Sequence, residues 1–275
     1  MTESPRTILI TGCSSGIGHH AAIGLRRRGW RVFATARRQA DVGRLADAGL
    51  ESLRLDYADE ESIKAALDDV LSRTGGRLDA LFNNGGYAQA GAIEDVDTTA
   101  MRAQFEANFF GWHELTRRVI PVMRRQGSGR LVFCSSVLGF VGARYRGAYV
   151  ASKHAVEGYA DSLRLELHGT GIAVVLIEPG PIASNFRQNA VANIDRTIDI
   201  DESIHSETYR RDLAERRDGH THTRFRLGPD AVLKTLVKAL DSTDPRPRYR
   251  VTVPTRAAAI LKRILSTRMM DRIAR

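Results

Sequence analysis

The sequence predicts a doubly wound α/β domain built on one parallel sheet. Three observations predict it. Short β-branched runs are apolar almost throughout, amphipathic segments alternate with them, and a glycine-rich turn joins the first run to the first amphipathic segment. Strands apolar on both faces belong to a sheet covered on both sides, and strand–helix alternation is how such a sheet is wound.

Each element follows in order. "TILIT" (7–11) is the first strand, and the amphipathic segment after the glycines runs to Arg28, where Gly29 stops it. "RVFATA" (31–36) is the second strand, followed by a helix near 41–48, a short strand "SLRL" (52–55) and a helix at 60–73. "LDALFNN" (78–84), helices over roughly 98–125, "GRLVFCSS" (129–136), a helix near 149–168 and "IAVVLIEPG" (172–180) continue the alternation. Residues 185–227 break it: polar, mixed in charge and weakly periodic, they read as an insertion, a helical lid over the substrate rather than a new domain. A helix at 229–240, the turn "DPRPR" (244–248) and a strand "YRVTV" (249–253) close the sheet, and an amphipathic helix is expected over 255–275. No internal repeat is apparent, so 1–275 is read as a single domain whose cofactor and catalytic core spans 6–184.

Composition narrows the function classes. The chain has 275 residues, 43% hydrophobic and 27% charged, ample for one large core. Two cysteines make no disulfide framework, and "MTESPRTILITG" lacks a basic segment followed by a long apolar run, so a cytoplasmic protein is expected. The net charge of +9 raises nucleic acid as a partner, but the arginine pairs are scattered and interleaved with acids, which argues against a groove-tracking stripe.

The turn "TGCSSGIG" (11–18) carries the first chemistry. Gly12 permits a tight turn, Gly16 lets backbone approach a pyrophosphate, and Gly18 lets helix and strand pack closely, with the anion on the helix N-terminus. Alone, such a triplet could be a plain strand–helix turn; directly after an N-terminal apolar strand it points to a nucleotide. About 20 residues beyond the glycines, NAD sites place a carboxylate on the ribose. Here "ATARRQ" puts Arg37 and Arg38 there instead, which favours the 2′-phosphate of NADP over NAD; the alternative is two surface arginines.

"AYVASKHAV" (148–156) carries the second. Tyr149 and Lys153 stand one helical turn apart and share a face. A lysine can act there as a compact charge beside a phenol, which an arginine fork does poorly. A lone tyrosine–lysine pair at this spacing is usually an ordinary helix face. What changes the weighing is the series "TGCSSGIG", "LDYAD", "NNGG", "NFFG", "VFCSS", "YVASK" and "EPGPIAS", in that order.

In this series the chain resembles the short-chain dehydrogenase/reductase family, closely over residues 6–184, and most of all its seventeen-beta-hydroxysteroid dehydrogenases and bacterial aldehyde and ketone reductases. The resemblance implies that Tyr149 is the acid–base residue, that Lys153 holds the nicotinamide ribose and lowers the phenol's pKa, that Ser136 bonds the substrate oxygen, and that Asn108 anchors a proton-relay water. It implies cofactor contacts from Gly12, Ser14, Ser15, Gly16, Ile17 and Gly18, with Ser15 and Arg37 at the 2′-phosphate. Asp56 would meet the adenine, Asn83 and Gly85 the adenosine ribose pocket, and Pro179, Gly180, Ile182 and Ser184 the nicotinamide end. Gly85 stands where the family usually has alanine, a change that loosens a turn without removing chemistry.

The expected function is therefore NADP(H)-dependent interconversion of a carbonyl and an alcohol, on an apolar aldehyde, ketone or hydroxysteroid-like molecule. A catalytically silent NADP sensor is the alternative, and it has no need of Asn108, Ser136, Tyr149 and Lys153 together. A homo-oligomer is expected, and neither a metal nor a nucleic acid. His205, His220 and His222 read as solvated loop residues, Cys13 and Cys134 as packing, Trp30 and Trp112 as core or interface. The tail stripe of Ile260, Leu261, Ile264, Leu265, Met269 and Ile273 reads as packing or oligomer contact ahead of membrane contact, because every surface helix has such a stripe.

Overall fold

In a computed structural model, described over residues 5–217 and 225–274, seven parallel strands form one sheet in the order β3-β2-β1-β4-β5-β6-β7. β1 (Thr7–Ile10) is buried at every position and pairs with β2 (Arg31–Ala36) on one side and β4 (Ala80–Asn83) on the other. The order of connection reverses between β1 and β4, so the turn after β1 opens into the crevice where a doubly wound sheet binds its ligand. β3 (Glu51–Arg54) forms one edge, and β5 (Gly129–Cys134), β6 (Ile172–Glu178) and β7 (Arg248–Arg250) extend the other side.

Helices cover both faces: α1 (Gly16–Arg26), α2 (Gln39–Asp47) and α3 (Glu60–Arg73) follow the first three strands. Asp59 caps α3 by accepting from the Ser62 N–H, which starts that helix where the acids of its first turn also favour it. The helices predicted over roughly 98–125 are α4 (Thr98–Phe105) and α5 (Gly111–Gln126), joined by one π turn (Glu106–Phe110). α6 (Gly147–Glu166) carries the tyrosine and the lysine.

Two expectations need correction, the bounds of the last strand and the form of the tail. The segment 185–227, expected as a helical lid, does carry helices, α7 (Phe186–Thr197) and α8 (Ser206–Arg217). They form a second small core, where Ile194, Ile198, Tyr209 and Leu213 pack on Ala90 and Ala92. The Tyr209 hydroxyl ties it down, donating to Asp95 at 2.6 Å and accepting from the Ala92 N–H at 2.6 Å. The last strand is shorter than 249–253, because Thr252 caps a new helix through the Thr255 N–H and Pro254 sits in its first turn. The tail is two helices, α10 (Val253–Ile264) and α11 (Thr267–Ala274), separated where Leu265 turns extended at ψ 146. α9 (Asp230–Asp241) matches the expected helix at 229–240. No helix of the described residues is long and apolar enough to cross a membrane.

At the far end of β6, Glu178 is sealed in the interior, its carboxylate 3.1 Å from Arg250 and 3.2 Å from Arg248. Burial, aided by the Glu157 carboxylate, outweighs both arginines and pushes Glu178 up to about 7. A carboxyl raised in the fold favours its protonated form, so its contribution to stability is present below its unfolded pKa and is lost as pH rises through about 7. The stability of the native chain to thermal unfolding should therefore fall between about pH 4.5 and about pH 7 by up to about 3 kcal/mol, a loss that Glu178→Gln lacks. Equal pH slopes for the two proteins would contradict this assignment.

Candidate active site

The glycine turn is built by close approach. Gly12 has φ +68, and a Cβ there would lie 2.4 Å from Gly85 Cα. A Cβ on Gly18 would lie 2.3 Å from the Gly12 carbonyl oxygen and 2.7 Å from Asn84 Nδ2. The turn after β1 and the loop after β4 are thus in backbone contact. Thr11 joins them: its hydroxyl accepts from the N–H groups of Asn84 (2.9 Å) and Gly85 (3.0 Å). Asn84 answers by donating to the Thr11 carbonyl at 2.9 Å. Neither Thr11 nor Asn84 was singled out by motif, although both lie inside quoted stretches. Tyr57 completes the brace, its hydroxyl 2.7 Å from Thr11 Oγ1 and donating to Asn83 Oδ1 at 2.9 Å. Gly85 has a reason here: a Cβ on it would press at 3.1 Å against the Tyr57 ring.

The residues expected at a dinucleotide are placed as follows. Ser14 and Ser15 are exposed, and Ser15 sits at the N-cap of α1 without a side-chain cap bond, leaving the helix's first N–H groups open to an anion. Ile17 packs on the main core and Gly18 is buried. Gly16, at φ +58, faces Ser184, whose Cβ would be 3.2 Å from an added Cβ. Arg37 is exposed, and among the described residues no carboxylate pairs with it, whereas Arg38 is committed to Asp41 at 2.9 Å. Asp56 is half-buried and accepts from the Ala58 N–H at 3.1 Å. Asn83 lies wholly inside, its amide spent on Tyr57 and on Thr116 at 3.0 Å, so its side chain braces the loop from beneath. The Pro179 carbonyl accepts from Val137 at 2.8 Å, Gly180 packs against the Thr252 and Thr255 hydroxyls, and Ile182 bridges to Leu227.

The four residues named as catalytic gather beside that loop. Ser136 accepts from the Leu138 N–H at 3.1 Å. Burial raises the Tyr149 phenol well above its ordinary value; the neighbouring Ser136 hydroxyl opposes this only in part, which favours the protonated phenol. Lys153 Nζ donates to the Cys134 carbonyl at 2.8 Å, lies 4.3 Å above the Trp112 ring and 5.7 Å from the Tyr149 ring centroid. Burial brings the lysine down to about 8. The π-face of Trp112 therefore supports a buried ammonium, a role its sequence position did not reveal. Trp112 also donates to the Gly85 carbonyl at 2.7 Å, linking the lysine's floor to the glycine turn.

Asn108 lies in the π turn, where one extra residue in the helix redirects its amide inward. Its Oδ1 accepts from the Tyr87 N–H at 3.1 Å, and its Nδ2 donates to the Tyr87 carbonyl at 2.9 Å and the Ser152 hydroxyl at 3.4 Å. Cys13 and Cys134 are buried thiols raised to about 12 and about 11, which makes them inert packing groups.

The lid supplies what no motif marked. Phe186 at the start of α7 meets the Tyr149 ring edge-on at 5.5 Å, and Ala88, Leu138 and Ala190 close an apolar cluster around the phenol. Tyr145, held at φ +57, wedges its ring against His205 and Tyr209. His205 in turn meets Glu94 at 2.6 Å; His220 and His222 lie outside the described residues.

Comparison with known proteins agrees with this geometry. A family model described as short chain dehydrogenase matches residues 6–195. The chain is 41% identical over 269 residues to the uncharacterized oxidoreductase YbbO of Escherichia coli strain K12, spanning 98% of this chain and 93% of that protein. It is 33% identical to human 17-beta-hydroxysteroid dehydrogenase type 1 over 89% of this chain and 77% of the relative. A solved short-chain dehydrogenase from Streptomyces avermitilis superposes with a TM-score of 0.79 at 30% identity, covering 96% of this chain and 94% of the other. With the Tyr149–Lys153 helix, the glycine turn and the parallel sheet in place, the chain belongs to the short-chain dehydrogenase/reductase family, whose members bind nicotinamide cofactors and act as oxidoreductases.

Proposed function

We propose that the protein is an NADP(H)-dependent reductase of an apolar aldehyde or ketone, working equally in the reverse direction on the alcohol. The observation that carries the reading is the buried Tyr149 ring, with Lys153 one helical turn away and Phe186, Leu138, Ala88 and Ala190 enclosing it. A reduced nicotinamide, when bound, supplies the hydride. The chain's residues suit that group: the uncapped N-terminus of α1 and the two exposed serines fit a diphosphate, and the uncommitted Arg37 guanidinium fits a 2′-phosphate. Carbonyl reduction builds negative charge on the substrate oxygen. Ser136 donates a hydrogen bond to that oxygen, and Tyr149 passes it the phenolic proton. Lys153, a cation below about 8, stabilises the phenolate left behind. Proton return from solvent passes along the Asn108 side of the site, where the amide is held rigid by Tyr87. The apolar ring around Tyr149 selects an apolar substrate face and keeps bulk water away from the reacting oxygen.

The test is titration of the purified protein with NADPH and NADH separately, then addition of a panel of aldehydes, ketones and steroids while absorbance is followed. Tight NADPH, weaker NADH and turnover of an apolar carbonyl are expected. NADPH binding with no turnover across the panel would move the protein to the sensor reading. Arg37→Ser should weaken NADPH roughly tenfold or more and leave NADH within about twofold, since a charge-assisted phosphate contact is worth about 1.5–3 kcal/mol. A variant that loses both cofactors equally, or neither, would return Arg37 to the status of a surface residue.

A further inference from the structure

We propose that the outer face of α10 and α11 docks the protein on an anionic lipid surface. α10 is held to the domain by one side only. Thr255 and Ala259 are buried, and Lys262 reaches the Phe140 carbonyl beside the Ser136 loop, which sets the face that the helix turns to the domain. The stripe on its other side is Val253, Ala257, Ile260 and Ile264, spaced by four, three and four residues. Val253 is 59% exposed, Ile260 58% and Ile264 73%. α11 has no buried residue, and it adds Met269 and Ile273 to the exposed apolar surface. An apolar stripe turned away from its own core needs a partner.

Charge selects that partner. Residues 253–274 carry Arg256, Lys262, Arg263, Arg268 and Arg272 against a single acid, Asp271. Among the described residues, no carboxylate pairs with Arg263, Arg268 or Arg272. Arg256 and Arg263, seven residues apart, share one flank of the stripe, while Arg268 and Arg272, one turn apart, share a side of α11. Apolar side chains edged by arginine are the make-up of a helix lying in a bilayer interface, with guanidinium groups at the phosphates. A two-fold contact with a second copy would instead set these arginines against each other, in a chain whose net charge is already +9. The inference goes beyond the proposed reaction and does not depend on it.

Sedimentation of the whole purified protein with vesicles tests it. Vesicles of phosphatidylcholine containing phosphatidylglycerol should carry the protein down, pure phosphatidylcholine vesicles far less, and added salt should release it. Arg268→Gln/Arg272→Gln should weaken binding about tenfold, at about 1 kcal/mol per basic residue near the surface. Ile260→Ser/Ile264→Ser keeps every charge and should also lose most of the binding, with NADPH affinity and melting temperature unchanged. Two results would overturn the proposal. One is sedimentation of the serine variant equal to that of the native protein, which is adhesion by net charge alone. The other is no sedimentation with either vesicle, accompanied by a dimer in light scattering that Ile264→Asp dissociates.

Discussion

Replacement of Tyr149 by phenylalanine is expected to cut carbonyl reduction by roughly 10²–10⁴-fold while leaving cofactor affinity within about twofold, the range for loss of a positioned proton donor. The ring would still fill the cluster with Phe186, Leu138 and Ala190, so melting temperature should hardly move. What disappears is the phenolic hydroxyl and the proton that, in the proposed reaction, it passes to the substrate oxygen. The pH dependence of the native enzyme should carry the same chemistry. Burial keeps the phenol protonated, and it lowers Lys153 to about 8. The free-enzyme profile, kcat/KM against pH, should then fall as pH rises through about 8, when the ammonium beside the phenol is lost. Near-native turnover in Tyr149→Phe would remove the assignment altogether; a profile flat across that pH would remove the lysine's part in it.

Gly18→Ala is expected to lower dinucleotide affinity by roughly a hundredfold, about 2.7 kcal/mol, and to cost a further ~1–3 kcal/mol of stability. The added methyl would sit 2.3 Å from the Gly12 carbonyl oxygen, and Gly12 has nowhere to retreat because it lies against Gly85. Relief must come from moving α1 away from the turn, which displaces the helix N-terminus proposed to meet the diphosphate. Gly29→Ala is the comparison: nothing lies within 4 Å of its new methyl, and only the strain of φ +82 remains. That variant should lose ~1–2 kcal/mol of stability and no cofactor affinity. Titration calorimetry with NADPH and thermal unfolding separate the two effects; native affinity in Gly18→Ala would show that the close approach is dispensable.

Most of what was legible in the sequence is local. An apolar run such as "IAVVLIE" declares a strand buried on both faces, and Tyr149 and Lys153 share a helix face because 3.6 residues make a turn. "TGCSSGIG" declares a strand–helix turn because few residues other than glycine accept φ near +60 to +70. The sheet, the glycine turn at its crevice and the tyrosine–lysine pair follow from such short-range rules, and the family model confirms the kind of protein they build.

The remainder depended on which distant segments meet. Trp112 reads as one more core aromatic until the fold places it beneath Lys153, forty-one residues later in the chain. Asn83 looks like a ligand contact by motif, yet packing points its amide inward to Tyr57 and Thr116. Phe186 sits in a stretch without clear period, and only the closure of α7 over α6 brings it to Tyr149. The tail shows the same division: the sequence by itself determined an amphipathic, arginine-edged helix, and it determined the sheet, the glycine turn and the tyrosine–lysine face. The tertiary structure alone decided that Thr255 and Ala259 face the domain while Ile260 and Ile264 face away. The reason is physical. Backbone periodicity and glycine conformations are set within a few residues, whereas burial, buried pKa values and contact partners are set by surfaces that become neighbours only after the chain has folded.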